Sequence, residues 1–141
     1  MKILIINGPN MNMLGIREPE IYGSKTYSEL VEYIRGYAEQ RGVEADFFQS
    51  NSEGAIIDAV QLAYGKYDAI VINPAAYTHT SIAIADALAA VGLPAVEVHL
   101  SDINSREAFR RVSYTSAACI KVISGEGFEG YARAIDLLSE R

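Results

Sequence analysis

The sequence predicts an open, doubly wound α/β fold: five parallel strands in the order 2-1-3-4-5, with helices covering both faces as three α/β/α layers. Three observations carry that prediction. Short apolar runs rich in β-branched residues alternate with segments of helical period, the pattern of a parallel sheet wrapped by helices. The run YDAIVINP is continuously apolar at its centre, as a strand buried on both faces must be. Right-handed crossovers between about five such units leave few strand orders open.

Each element has its own signal. KILIINGPN opens the chain as the first strand, but instead of turning directly into a helix it continues as NGPNMNMLGIREPEIYG, residues 7 to 23. Long loops inside compact domains are uncommon and often functional. Thr26 or Ser28 then caps a helix whose apolar face is Leu30, Val31, Ile34 and Ala38, and Gly42 ends it. VEADFFQ is the second strand. Ser52 opens a helix running through Ile56, Val60 and Ala63 to Gly65, and YDAIVINP follows as the third strand. THTSIAIADALAAVG is the third helix, LPAVEVHL the fourth strand, REAFRRV a short helix, ACIKVIS the fifth strand and EGYARAIDLL the closing helix. The strand order is flavodoxin-like.

Half of the 141 residues are hydrophobic, enough for a single domain spanning residues 1–141 to bury a core unaided. The net charge of −6 speaks against nucleic acid or an anionic membrane as a partner, so any anion site must be local. The only cysteine, Cys119, sits in an apolar run and can form no intramolecular disulfide, which favours a reducing compartment and a packing role. KILII is too short for a signal-peptide core or a membrane span. A cytoplasmic protein is expected.

In open α/β sheets, ligands bind beyond the carboxyl ends of the strands, where the strand order reverses. Asn7 and Asn10 follow the first strand, Asn73 ends the third, His79 lies just after it, and Glu97 and His99 end the fourth. The chain has two histidines, and both fall at this edge. Two-residue spacing puts Glu97 and His99 on one face of their strand. A carboxylate there can fix the imidazole tautomer and hold the ring ready as a general acid; a plain ion pair at the sheet rim is the alternative. Two histidines and a glutamate could also ligate zinc, but neither HExxH nor a cysteine cluster accompanies them. In the long loop, Arg17 and Tyr22 stand five residues apart, and a guanidinium beside a phenol favours the phenolate and makes it a usable base. The alternative is a tyrosine that packs the loop. No phosphate-binding GxxxxGK[ST] or GxGxxG follows the first strand. Asn7 and Asn73 also occupy positions where a phospho-receiver domain carries acidic residues.

The stretches NGPNMNMLGIREPEIYG, QSNSEG, INPAAYTHTS, VEVHLSD and REAFRRVSY, in that order and through to GEGFEGYARAIDLL, resemble type II 3-dehydroquinate dehydratase over nearly the whole chain. The resemblance implies a single catalytic domain that works without a cofactor or metal, dehydrating 3-dehydroquinate to 3-dehydroshikimate in the shikimate pathway. Carried over position by position, Tyr22 matches the base and Arg17 the arginine that stabilises the transition state. Asn10 matches the asparagine that supports the enolate, and His99, oriented by Glu97, matches the acid. Asn73, His79, Leu100, Ser101 and Arg110 match substrate-binding positions. The resemblance further implies a homododecamer of four trimers in which Asp86 reaches the site of a neighbouring subunit. Asp102 stands where asparagine is usual in the family, and Val112 where histidine is common.

Overall fold

A computed structural model describes residues 1–16 and 18–141 of the chain; the side chains of Pro19 and Tyr22 also lie outside that description. Strands β1 (Lys2–Asn7), β2 (Glu44–Gln49), β3 (Ala69–Asn73), β4 (Ala95–His99) and β5 (Lys121–Ser124) form one sheet. All pairings are parallel and the order is 2-1-3-4-5. The helices are α1 (Pro19–Tyr22), α2 (Tyr27–Gln40), α3 (Glu53–Ala63), α4 (Ile82–Val91) and α5 (Glu129–Ser139).

Alternation along the strands builds two apolar layers. Ile3, Ile5, Val71, Val96 and Val98 pack on Leu30 and Ile34 of α2 and on Tyr131, Ile135 and Leu138 of α5. Leu4, Ile6, Ile70, Ile72 and Ala95 pack on Ile56 and Val60 of α3 and on Ile84 and Leu88 of α4. Glu97 and His99 continue the Ala95 face by period two, so they point to the α3/α4 side. Between the two expected caps the choice falls on Thr26, whose Oγ1 accepts the Glu29 N–H at 3.2 Å. Ser52 and Ser81 start α3 and α4 in the same way, each satisfying an N–H that the first helical turn leaves free.

Several boundaries differ from the sequence expectations. The long loop after β1 contains a 3-10 turn at Met11–Met13 as well as the single helical turn α1. The third helix starts late, because Ala75–His79 form a 3-10 turn and Ser81 caps α4. No α-helix forms around REAFRRV; the β4-to-β5 crossover carries 3-10 turns at Ile103–Ser105, Ala108–Arg110 and Thr115–Ala118. The last of these takes the start of the expected fifth strand, leaving β5 with four residues. No helix among the described residues is long and apolar enough to cross a membrane.

Candidate active site

The carboxyl ends of β1, β3 and β4 surround a pocket of about 130 Å³ lined by Asn10, Asn73, His79, His99, Leu100, Ser101 and Arg110, with Arg106, Ala75 and the apolar Met11 and Leu14. Seven of the residues picked out in the sequence therefore come together. Glu97 lies behind His99, fully buried. Asp86 is exposed on α4 and does not line the pocket. Arg17 and the Tyr22 side chain lie outside the described residues.

The β1 and β3 exits are fastened together. Asn7 and Asn73 are register partners, and the Gly8 N–H donates to the Asn73 carbonyl at 2.8 Å. A Cβ on Gly8 would sit 2.6 Å from the Pro74 carbonyl oxygen, so only glycine fits this crossing. Asn10 follows in the left-handed region at φ 69°, and its N–H donates to Asn51 Oδ1 at 2.9 Å. Asn73 is anchored from below: its Oδ1 accepts the Ala75 N–H at 3.0 Å and its Nδ2 donates to Tyr131 Oη at 3.1 Å. Tyr131 in turn donates to Asn7 Oδ1 at 2.6 Å. Burial pushes the Tyr131 phenol far up, above its ordinary value, so it remains a neutral donor. The bond from Ala75 helps hold that residue at φ 52°.

The end of β4 brings the Glu97–His99 pair to the pocket. His99 Nε2–H donates to Glu97 Oε2 at 2.6 Å. Burial pushes the Glu97 carboxyl up, yet the His99 ring and the hydroxyls of Thr115 and Thr78 outweigh it and hold the group below the usual carboxylate range. Nδ1 of His99 has no hydrogen-bond partner among the described residues, where no buried side-chain nitrogen or oxygen goes unpaired. It therefore opens to the pocket that the ring lines.

The cationic side comes from the crossover. Arg110 pairs with Glu107 at 2.7 Å, and His79 Nδ1–H donates to the Val112 carbonyl at 2.7 Å, which leaves Nε2 as the ring's acceptor nitrogen. Arg106, four residues before Arg110, was not picked out from the sequence. It lines the pocket, is nearly buried and pairs with Glu18 of the loop at 3.5 Å. The signal for it was the repeated arginine in REAFRR. Val112 departs from the family pattern only in its side chain, since its contribution here is a carbonyl. Asp102 caps the 3-10 turn that follows it, accepting the Asn104 N–H at 3.0 Å. The arrangement offers a polarised imidazole, two guanidinium groups and amide donors around a small volume with an apolar floor, which suits an anionic, hydroxylated molecule. No group of three or more potential metal-ligating side chains occurs among the described residues.

Residues 1–139 match the family Dehydroquinase class II. The 3-dehydroquinate dehydratase of Clostridium acetobutylicum is 55% identical over 138 residues, covering 98% of this chain and 96% of its own length. That of Clostridium perfringens is 54% identical over 142 residues, covering 100% and 99%. The crystal structure of the type II dehydroquinase of Butyrivibrio crossotus superimposes with a TM-score of 0.96 at 54% identity, covering 98% of this chain and 97% of that one. Fold and sequence thus agree over nearly the whole chain, and the chain belongs to the class II dehydroquinase family.

Proposed function

We propose that this chain is a 3-dehydroquinate dehydratase that eliminates water from 3-dehydroquinate to give 3-dehydroshikimate, in the shikimate pathway. The observation that carries the reading is the buried Glu97–His99 pair, which turns one imidazole nitrogen into a pocket lined by Asn10, Asn73, His79 and Arg110 in a member of this family.

In this reading Tyr22, as phenolate, takes the proton from the carbon next to the ketone. The C–H pair becomes an enolate, which Arg17 and the network around Asn10 stabilise as charge develops on oxygen. As the carbonyl reforms, the ring carbon–carbon double bond forms and the C–O bond breaks. His99 gives its Nδ1 proton to the departing hydroxyl, which leaves as water. Arg110 pairs with the substrate carboxylate, while Asn73, His79 and the Leu100–Ser101 backbone take its carboxylate and hydroxyl groups. No cofactor or metal is needed for any of these proton transfers.

We read the assembly as a cytoplasmic dodecamer of four trimers, with Asp86 completing the site of a neighbouring subunit. The exposed position of Asp86 on α4, outside its own chain's pocket, supports that assignment. The experiment is direct. Purified protein without added cofactor should raise ultraviolet absorbance when mixed with 3-dehydroquinate, as the conjugated enone forms; a folded oligomer that leaves the absorbance flat would overturn the reading.

A further inference from the structure

Beyond the pocket, Glu97 is enclosed by hydroxyl groups from two separate segments. Thr115 donates to its Oε1 at 2.5 Å, and Thr78 to its Oε2 at 2.7 Å. Ser113 Oγ lies 2.6 Å from Thr78 Oγ1 and 3.4 Å from Glu97 Oε2, and it accepts the Ser116 N–H at 3.2 Å. Each hydroxyl has one proton to give. With the Thr115 proton on Oε1 and the Thr78 proton on Oε2, the Ser113 proton goes to Thr78, and every donor is directed inward. The line runs from the Ser116 amide through Ser113 and Thr78 to the carboxylate. Together with His99 Nε2–H, Glu97 then accepts three direct hydrogen bonds, an arrangement suited to an anion.

The other neighbours do not compete for that charge. Ile72 of β3 and Val122 of β5 flank Glu97 in register. Among the described residues, the titratable groups facing it are His99 on its own strand and the Cys119 thiol, which burial first and the Glu97 charge second push up to about 12, so it stays neutral. The same contacts join the acid to the binding groups. Tyr114 N–H donates to the Thr78 carbonyl at 2.7 Å, next to the His79–Val112 bond, and Arg110 is only three residues before Ser113.

We propose, on the dehydratase reading of this pocket, that Thr78, Ser113 and Thr115 are positioning residues for the acid: their hydroxyls keep Glu97 an anion throughout turnover, so that His99 retains its Nε2 proton and exchanges protons with substrate only through Nδ1. A neutral Glu97 would no longer fix the ring tautomer, and the acid would be lost with its side chain still in place.

Thr115→Val keeps the shape and removes the proton given to Oε1; Thr115→Ser keeps the proton. For the valine variant we expect kcat to fall roughly tenfold to a hundredfold, the rate equivalent of one hydrogen bond to a charged group, with KM little changed. Its activity should also fail at a higher pH on acidification, and the serine variant should recover most of the rate and the original profile. A valine variant with a lower thermal midpoint but an unaltered kcat and acid limb would show a purely structural role and overturn the proposal. Should that variant not fold, the unaltered enzyme decides. With only two histidines, 15N spectra of the imidazoles, assigned by the loss of one set in His79→Gln, should show the His99 Nε2 protonated across neutral pH; a ring bearing its only proton on Nδ1 would overturn the proposal. The tautomer is read without substrate, so an unaltered enzyme inactive on 3-dehydroquinate would sink the dehydratase reading separately.

Discussion

Tyr22→Phe removes one oxygen atom and leaves a ring of the same shape, which separates a base from a tyrosine that packs a loop. We expect turnover to fall by roughly a hundredfold to ten-thousandfold, the usual range for a positioned acid or base, with ligand binding and thermal midpoint preserved. Steady-state rates beside a binding titration check this, and near-normal turnover would remove Tyr22 from the chemistry. Single residues differ in how legible they are. The Glu97–His99 pair could be read from a spacing of two on a strand, because a strand's alternation is a fixed geometric rule. Thr78, Ser113 and Thr115 could not, since their convergence on Glu97 depends on how two separate segments fold back across β4. Nor does a sequence disclose strain at non-glycine residues. Among those described, Asn10, Glu18 and Ala75 have positive φ; Asn10 and Ala75 line the pocket, and Glu18 pairs with Arg106, which does too. Such conformations cost of order 1–3 kcal/mol each and collect at functional sites.

At the scale of elements, strands and long helices were readable because apolar period and caps agree; Thr26 and Ser52 each accept the N–H expected of a cap, whereas the Ser81 cap of α4 shows only in the structure. The crossover from β4 to β5 was not readable. REAFRR favours helix by composition, but the segment forms 3-10 turns instead, and tertiary contacts override propensity there. Near Ser113–Ser116 it is bonded to the buried Glu97 carboxylate through Ser113 and Thr115. The Glu97 pKa is lowered in the fold, so the stability it contributes is present above the ordinary carboxylate range and lost as pH falls through the lower folded value. Amide exchange of Tyr114 and Ser116 should therefore lose protection on acidification before the amides of β1 and β3 do. Simultaneous loss in this segment and in both strands would show that the charge does not hold it.

For the whole molecule, α4 carries the main evidence. Ile84, Ala87 and Leu88 are buried against the sheet, while Ile82, Ala83, Ala89 and Ala90 are exposed on the same helix as Asp86. A helix apolar on both faces calls for a second covering surface, and a neighbouring subunit would supply it. We therefore expect Tyr22→Phe and Asp86→Ala, each severely impaired alone, to regain partial activity when co-refolded, because some sites would pair an intact Tyr22 from one chain with an intact Asp86 from another. Mixed oligomers showing only the summed activity of the parents would mean that each site is built within one chain. The sheet order was accessible from the sequence because it follows from chain-connection rules, whereas a subunit interface obeys no such rule and shows only as surplus apolar surface.

The crossing of Gly8 over Pro74 has a mechanical meaning. Two backbones that leave no room for a methyl group, and are also joined by the Gly8-to-Asn73 hydrogen bond, cannot slide or part without breaking close packing. The wall that carries Asn10, Asn73 and Ala75 is therefore stiff at its base, and its donors are set before any ligand arrives. A ligand entering the pocket meets this wall as a fixed template rather than one it must shape.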